Sequence, residues 1–541
     1  MKSVKSRSFF VNVIFIAITA LYCLSGCSEA TDQAQVSELK ESSLPQDSTP
    51  ALAYLEHNEI YNPESVIPPQ CYTKTDGDKN PCYVCHQSYT DPLRPNFVKD
   101  ASLQGNYEFS DEGMTNSWKN LFKDRSKEID AIDDKEIMEW VSQDNYAPFI
   151  QRLSNDTQWQ GEMPKITNLA FPKKAFHENG LAKDGSHWIA YNYKPLPSSF
   201  WPTNGSTGDA MIRLPKEFRE LKGQYSEIVY LQNLALLEQS IKQSVSPSVS
   251  QSNNKEKING QNFYRGDAST VRIEYMLYPQ GTEFLHTVRY LGINDDGSIF
   301  NAPRMKEVRY MKKVKLKSIS SLKSSYLVEA KEKIMGQLPQ TINIGDRGID
   351  NGFGWIINGY IENKQGELRQ QNKQEMAFCN GCHKTLGSTI DQVFSFSRKL
   401  EGSGGWGYID LSKIQDVPNI DPSGKENQQG EYLTYFQRVG GGDEFRQNSE
   451  MIKRWFHDDG QVNTQAVEEV HSIYPLITPS KERALALNKA YKLIVAEQSY
   501  IFGRDAVLTP AKNVLKQVEK TMPLKEKHRY SWDIRLNWNS Q

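Results

Sequence analysis

The sequence predicts an α+β protein in which mostly helical, cysteine-bearing regions flank a strand-rich middle region. In the middle region, the segments 271–278, 284–293 and 308–314 alternate side chains with the period of a strand. The turn-forming residues Asn294 to Gly297 separate the last two segments, as in a hairpin. The flanking regions carry apolar residues at helical spacing, and we expect Ser480 to cap the long helix near the C-terminus.

Composition divides the chain into five regions. Residues 1–27 form a basic and then apolar leader, and residues 28–50 are polar, as in a flexible tether. Residues 51–185 contain the first cysteine pair, residues 186–345 are strand-rich, and residues 346–541 contain the second pair and a helical C-terminus. Without the leader, the chain is long enough for two or three domains with a large core.

The amino terminus has the layout of a secretion signal. Lys2, Lys5 and Arg7 precede an apolar stretch, Phe9 to Cys23, that is too short to span a bilayer comfortably as a mature helix. The sequence Leu-Ser-Gly-Cys that follows, ending at Cys27, resembles the lipobox of bacterial lipoproteins. This resemblance implies that the leader is removed and that Cys27 carries the lipid anchor.

The residue after the lipidated cysteine bears on the destination. Ser28, rather than aspartate, follows Cys27, which in lipoproteins of this kind implies sorting to the outer membrane. We therefore expect a protein that is secreted across the inner membrane and lipid-anchored in the outer membrane, facing the periplasm or the cell exterior. An ordinary signal peptide that happens to contain a cysteine is the alternative.

The charges argue against a nucleic-acid partner. The chain has 64 Lys and Arg against 66 Asp and Glu, a net charge of −2, and both signs are well mixed along the sequence. A protein that binds nucleic acid usually shows a strong basic excess or a basic block. We expect no nucleic-acid partner.

Two tight cysteine pairs give the strongest chemical signal. Both motifs have the pattern C-x-x-C-H: Cys-Tyr-Val-Cys-His ends at His86, and Cys-Asn-Gly-Cys-His ends at His383. Two thiols at this spacing can form thioethers with the vinyl groups of one haem, and the following histidine can bind the iron. We therefore expect two haem c groups, one in each helical region. The predicted thioether residues are Cys82, Cys85, Cys379 and Cys382, and the predicted proximal iron ligands are His86 and His383.

Two other interpretations of the pairs stay open. A zinc ion could take four thiolates from both pairs, but this leaves the adjacent histidines without a role and suits an oxidising compartment poorly. A thioredoxin-like dithiol would need a βαβ context, which the sequence does not show.

The motifs and the secretion signal resemble those of c-type cytochromes, and the resemblance extends no further along the chain. Small cytochromes of class I often use a distal methionine near a proline, so Met163 and Met522, each followed by proline, are candidate sixth ligands. His286 is a third candidate because it shares a strand face with apolar residues. Each also has a plain structural interpretation, as a gap-filling methionine or a satisfied core histidine.

Cys71 is left single after the other cysteines are assigned. It could be an inert buried thiol, a site of intermolecular pairing, or an axial thiolate on the first haem, since it lies eleven residues before Cys82.

The sequence favours electron transfer over catalysis. A haem can be held by about one hundred residues, so most of this chain must form something else. It could be a substrate domain, a docking surface for redox partner proteins or a scaffold that holds the haems close together. Dihaem peroxidases resemble it in haem number and compartment, but their motifs usually lie closer together. His457 to Gly460 only partly match the segment of that family in which Arg-Asn precedes an aromatic residue, His, Asp and Gly. We predict a dihaem c-type cytochrome that transfers electrons at the periplasmic or outer-membrane surface. A haem-dependent oxidoreductase such as a dihaem peroxidase is the alternative, and a binding module with structural or sensory haems is a third possibility.

Overall fold

An antiparallel sheet organises the protein in the computed structural model. The model describes residues 62, 65–75, 79–87, 113–197, 200–242, 262–335, 337–384, 386–420, 428–519 and 533–540. All of them lie in a compact unit that extends from Asp47 to Gln541. The strands are β1 (Ile189–Ala190), β2 (Thr207–Arg213), β3 (Glu220–Leu221), β4 (Gln224–Tyr225), β5 (Glu283–Ile293), β6 (Ile299–Lys313), β7 (Ile342–Asn343), β8 (Ile349–Asp350), β9 (Trp355–Glu362) and β10 (Leu368–Gln370).

The strand order of the large sheet is β1-β2-β5-β6-β9-β8-β7, with β10 paired to β9. The strands β3 and β4 form a separate hairpin. Together with the helices given below, this sheet confirms the α+β class.

The long hairpin β5–β6 confirms the strands predicted at 284–293 and 308–314. Its turn is the predicted one: the Asn294 backbone N–H donates to the Ser298 carbonyl, and Gly297 supplies the positive φ of 83°. The strand β6 begins earlier than predicted because Ile299 pairs with Ile293 directly after the turn.

The strand predicted at 271–278 is wrong. Met276 has a φ of 55° in this segment, a left-handed conformation that interrupts an extended chain. Its backbone N–H donates to the Ser240 carbonyl, and the N–H of Tyr278 donates to the Asp391 carboxylate at 3.0 Å. This segment is therefore irregular, and these two backbone N–H groups bond to the end of a helix and to the Asp391 side chain instead of to a neighbouring strand.

Twelve α-helices are present in the described residues. The last one begins as predicted, since the Ser480 side chain accepts a hydrogen bond from the Arg483 backbone N–H. The helices are α1 (Ser126–Ala131), α2 (Asp134–Ser142), α3 (Tyr146–Asn155), α4 (Pro172–Ala175), α5 (Glu227–Lys242), α6 (Ile319–Ile334), α7 (Lys373–His383), α8 (Glu431–Val439), α9 (Ser449–Trp455), α10 (Thr464–Glu468), α11 (Tyr474–Ile477) and α12 (Lys481–Glu497).

The two faces of the large sheet pack against different layers. Successive residues of β5 point to opposite faces, so Leu285 packs with Phe149 of α3 while Phe284 packs in a cluster with Cys379 of α7. His286 lies two residues after Phe284 and therefore shares its face. The second cysteine motif, at the end of α7, thus lies on the sheet face that carries His286.

The C-terminal helices form an aromatic layer of their own. Trp201, Tyr432 and Phe436 lie at its centre, and Tyr83 and Val84 of the first cysteine motif belong to the same cluster. The first motif therefore packs on helices from the region that also contains the second motif, and the boundaries expected at 185 and 345 stay predictions. Among the described residues, no helix combines the length and the apolar character needed to cross a membrane.

Candidate functional site

The second cysteine motif occupies the last turn of α7. This helix begins with a capping box, in which the Asn372 side chain accepts from the Glu375 backbone N–H and Glu375 accepts in return. Cys379 and Cys382 are three positions apart and so lie on one side of the helix. Burial raises the pKa of the Cys382 thiol to about 12 and also raises the pKa of Cys379. Both thiols are therefore protonated at neutral pH in the unmodified chain.

A backbone carbonyl oxygen orients the ring of His383. Its Nδ1 lies 2.8 Å from the Gln392 carbonyl oxygen. A carbonyl can only accept, so Nδ1 carries the proton and the lone pair of the neutral ring is on Nε2. Burial is the main reason why the pKa of His383 is lowered to about 4. At neutral pH this ring is therefore the uncharged form that can bind a metal through Nε2.

The oxygen that orients His383 belongs to a strained turn. Ile390 and Val393 exchange backbone hydrogen bonds, and between them Asp391 and Gln392 have φ values of 46° and 70°. Turns of this type usually contain glycine because both central residues are left-handed. Here a buried ion pair between Lys313 and Asp391, 2.6 Å apart, holds the turn. Strained residues of this kind are frequent at functional sites.

His286 lies on the sheet face against which this motif packs. Within the described part of the chain, its Nε2 is buried and has no hydrogen-bond partner. A Cβ atom at Gly208 would lie only 2.9 Å from this nitrogen, so the glycine leaves space beside it. The pKa of His286 is lowered to about 4, first by burial and then by the charge of Arg309, with a smaller effect from His383. The two histidines are therefore within electrostatic range of each other, and both are neutral at pH 7.

Arg309 connects the sheet to the second motif. It pairs directly with His286 across β5 and β6, and its Nε donates to the Glu307 carboxylate at 2.9 Å. Its guanidinium group also packs over the Phe200 ring at 4.8 Å. The pKa of Arg309 is raised by Glu307 and, more weakly, by Cys379 and Cys382, against the opposing and larger effect of burial. Its positive charge therefore lies beside the space between the motif and His286.

The first motif forms a short turn on the aromatic layer. The Cys82 backbone N–H donates to the Asn80 side chain at 2.8 Å, and the Cys82 carbonyl accepts from the His86 N–H at 2.9 Å. Arg438 lies over the Tyr83 ring at 4.2 Å. Burial raises the pKa of the Cys82 thiol to about 11. The His86 side chain is half-buried. This turn presents the histidine next to the thiol pair, as the motif requires.

The fold brings the two motifs together. The Ser388 backbone N–H donates to the Cys85 carbonyl at 3.3 Å, and Ser388 is only five residues beyond His383. The segment before the first motif also contacts the second, since a Cβ atom at Gly381 would lie 2.1 Å from the Val66 carbonyl. Two motifs that are almost three hundred positions apart in sequence are therefore neighbours in space.

The other predicted ligands have different positions. Met163 packs on the opposite sheet face, in the cluster of Leu285, where its sulfur accepts from the Ser154 hydroxyl at 3.2 Å. The structure does not bring Met163 to either motif. Met522 and Cys27, the residue predicted to be lipidated, lie outside the described residues. Cys71 belongs to the apolar cluster that contains Phe378 of α7, the helix that carries the second motif.

The thiol geometry bears on the other interpretations of the cysteine pairs. None of the five described cysteines forms a disulfide. Within the described ranges, no three side chains of His, Cys, Asp or Glu are gathered closely enough to hold a metal ion. The four motif thiols, which are all described, are therefore not arranged as one four-thiolate zinc site.

The residues of the second motif suit a haem. The donor set contains two thiols on one side of a helix, a neutral histidine whose Nδ1 proton is held by a carbonyl oxygen, and a buried neutral histidine on the facing sheet. Sequence reasoning found these residues but missed Arg309, Asp391, Gln392 and Ser388. The turn residues gave no signal because they lack the glycine that marks such turns.

The chain resembles known lipoproteins along most of its length. A family model described as a “-like lipoprotein” matches residues 55–474. An uncharacterized lipoprotein of Aquifex aeolicus (strain VF5) is 32% identical over 500 residues, which cover 82% of this chain and 86% of that protein. No solved structure matches the chain.

Proposed function

This chain belongs to the lipoprotein family whose model it matches, and on that premise we propose that it is a lipid-anchored dihaem c-type cytochrome that transfers electrons. Membership of a lipoprotein family fits a secreted protein held at a membrane by lipid, with Cys27 as the lipidated residue. Location in the outer membrane and exchange with redox partner proteins are part of the proposal.

The observation that carries the proposal is the contact between the two motifs. The Cys85 carbonyl accepts from the Ser388 N–H, which joins the first motif to the segment five residues after the second, so two groups attached at the motifs would be neighbours. Each haem, when bound, supplies a one-electron iron couple. The residues that would hold the haems are Cys82, Cys85 and His86 in the first motif and Cys379, Cys382 and His383 in the second.

His286 favours an electron carrier over an enzyme at the second centre, by which we mean the haem site of the second motif. Its buried Nε2 has no partner among the described residues, and His286 lies on the sheet face against which Cys379 of the second motif packs. A buried polar atom without a partner is costly, and a metal ligand bond would satisfy it. We therefore propose that His383 and His286 are the two histidines that would hold the iron of a haem at the second motif. Catalysis at iron, as in a peroxidase, needs an open position instead.

Covalent haem content tests the proposal. Replacing Cys82 and Cys85 by alanine should remove half of the covalently bound haem, and the further replacement of Cys379 and Cys382 should remove all of it. Cys71→Ala is the matched control, because it also removes a half-buried thiol but should leave two haems per chain. Undiminished covalent haem in the fourfold variant, measured after acid–acetone extraction, would overturn the proposal.

A further inference from the structure

Arg309 is a half-buried cation on the sheet face that carries His286. The two residues are directly opposite each other on β5 and β6, so their side chains lie on the same face of the sheet. The Phe200 ring packs against both of them, with its centroid 4.8 Å from the guanidinium carbon and 5.1 Å from the centroid of the His286 ring. The guanidinium group of Arg309 is therefore held next to the candidate iron ligand of the sheet.

The hydrogen bonds of Arg309 use only part of its donor capacity. A guanidinium group has five N–H donors. The Nε of Arg309 donates to the Glu307 carboxylate at 2.9 Å, and among the described residues its two terminal nitrogens have no hydrogen-bond partner. A planar pair of terminal nitrogens can bind a carboxylate through two parallel hydrogen bonds. Arg309 can therefore take a second carboxylate without giving up its ion pair with Glu307.

The charges around Arg309 leave one cation uncompensated. One oxygen of Glu307 accepts from Arg309 at 2.9 Å and from Arg504 at 3.0 Å. Burial would raise the pKa of Glu307, but the charges of the two arginines hold it at about 2, so this carboxylate is ionised. Lys306 and Asp505, which are also within electrostatic range, have opposite signs and change the balance little. Two cations therefore share one anion.

This charged group adjoins the second motif. The guanidinium group of Arg504 lies over the Phe378 ring at 5.3 Å, and Phe378 directly precedes the first cysteine of the motif. Burial raises the pKa of both thiols of the motif, and Arg309 is the charged group that opposes this effect most strongly. The charge of Arg309 also acts on His383. Arg309 is therefore within electrostatic range of each residue that would hold a haem at this motif.

We propose that Arg309 binds a carboxylate side chain of the haem at the second motif through its terminal nitrogens and raises the reduction potential of this haem. The inference rests on the proposed function. A haem carries two carboxylate side chains, so it brings the anion that Arg309 and its neighbours lack. Reduction of the iron adds one electron, and a nearby positive charge makes this addition more favourable. Arg309 is thus a positioning residue for the second haem and not an iron ligand.

The reduction potentials of the two haems test this inference. In Arg309→Gln we expect two covalent haems and an electron affinity of the second haem that is about tenfold smaller, which is about 59 mV for one electron. The first haem should be unchanged. Glu307 keeps its bond to Arg504 in this variant, so that the buried carboxylate retains a cation. The potential of the second haem is identified as the one that remains in Cys82→Ala/Cys85→Ala.

The resonance Raman bands of the haem carboxylates give a second readout. Arg309→Lys keeps the positive charge but replaces the paired nitrogens by one ammonium group. We expect this variant to retain most of the potential of the second haem and to shift the carboxylate bending band. Unshifted bands in Arg309→Lys would contradict a bond from the terminal nitrogens of Arg309.

Arg213→Gln is the matched control. The Arg213 side chain is 21% exposed, against 17% for Arg309, and it also donates from Nε to a glutamate, Glu283, and packs over an aromatic ring, that of Trp188 at 4.6 Å. Arg213 pairs with Glu283, which directly precedes Phe284 on β5, so it lies on the opposite face of the sheet. Its replacement should change neither the potentials nor the carboxylate bands.

Three results would overturn the inference, and they differ in what they leave standing. Unchanged potentials and carboxylate bands in Arg309→Gln with two haems attached would leave the proposed function intact. So would a second potential that changes with added phosphate at constant ionic strength in the unmodified protein but not in Arg309→Gln, because the terminal nitrogens would then bind a free anion. Absence of covalent haem from the unmodified protein would overturn the proposed function and this inference with it.

Discussion

His383 donates its Nδ1 proton to the carbonyl oxygen of Gln392 over 2.8 Å, and this hydrogen bond leaves Nε2 as the nitrogen that can bind a metal. Gln392 is kept in a left-handed conformation by the buried Lys313–Asp391 pair next to it. The orientation of the histidine therefore depends on residues from β6 and from the turn, not only on its own motif.

Breaking the ion pair should loosen the turn. In Lys313→Met, Asp391 is left buried without its cation, and we expect a loss of about 3–5 kcal/mol in the free energy of unfolding. The double variant Lys313→Met/Asp391→Asn should recover much of this loss because it removes the charge as well. Urea unfolding measures both. Equal stability of the single and double variants would show that the pair does not hold the turn.

Removing His286 should leave a coordination position unfilled on the iron of the haem at the second motif. In His286→Ala we expect part of the absorption spectrum to change from low spin to high spin, and the change should be reversed by added imidazole. His187→Ala is the control, since His187 is half-buried and stacks on Tyr225 at 4.3 Å. A low-spin spectrum in His286→Ala identical to that of the unmodified protein would remove His286 as the sixth ligand.

Spacing between the two centres should depend on the Ser388 N–H. Ser388→Pro removes the donor to the Cys85 carbonyl, which we expect to cost about 1–3 kcal/mol and to weaken the magnetic coupling between the two haems. Ser388→Ala keeps the N–H and should leave both quantities nearly unchanged. Electron paramagnetic resonance of the oxidised protein measures the coupling. The same coupling in the proline and alanine variants would contradict the contact.

The free energy of unfolding should fall as the pH rises from about 4.5 to 7, and the carboxyl group of Glu362 should contribute to this fall. Burial raises the pKa of Glu362 from 4.5 to about 7, despite its contact with Arg304. In this range the unfolded chain releases the proton while the folded protein keeps it, so the folded state loses roughly 3 kcal/mol relative to acid pH. Glu362→Gln should flatten this fall, which urea unfolding at a series of pH values measures. An unchanged slope in the variant would show that Glu362 titrates normally.

The sequence was informative where a local pattern determines the structure. The hairpin around Gly297 and the cap at Ser480 follow from short-range chemistry, and both were predicted. The segment 271–278 was misread because alternation does not reveal the left-handed backbone of Met276.

The candidate site was predictable only in part. The cysteine motifs and His286 were found because spacing and strand alternation act over a few residues. The contact between Cys85 and Ser388 depends on long-range packing, and no local pattern encodes it. Met163 shows the same limit, since the Met-Pro pair does not indicate which sheet face the sulfur will occupy.

The central claim is tested most directly by the absorption spectrum of the purified protein, oxidised and then reduced, with pyridine haemochrome quantitation. We predict two covalently bound haems per chain, with low-spin bands at least at the second centre. Protein that has passed through a cytochrome c maturation system and still carries no covalent haem would contradict the account.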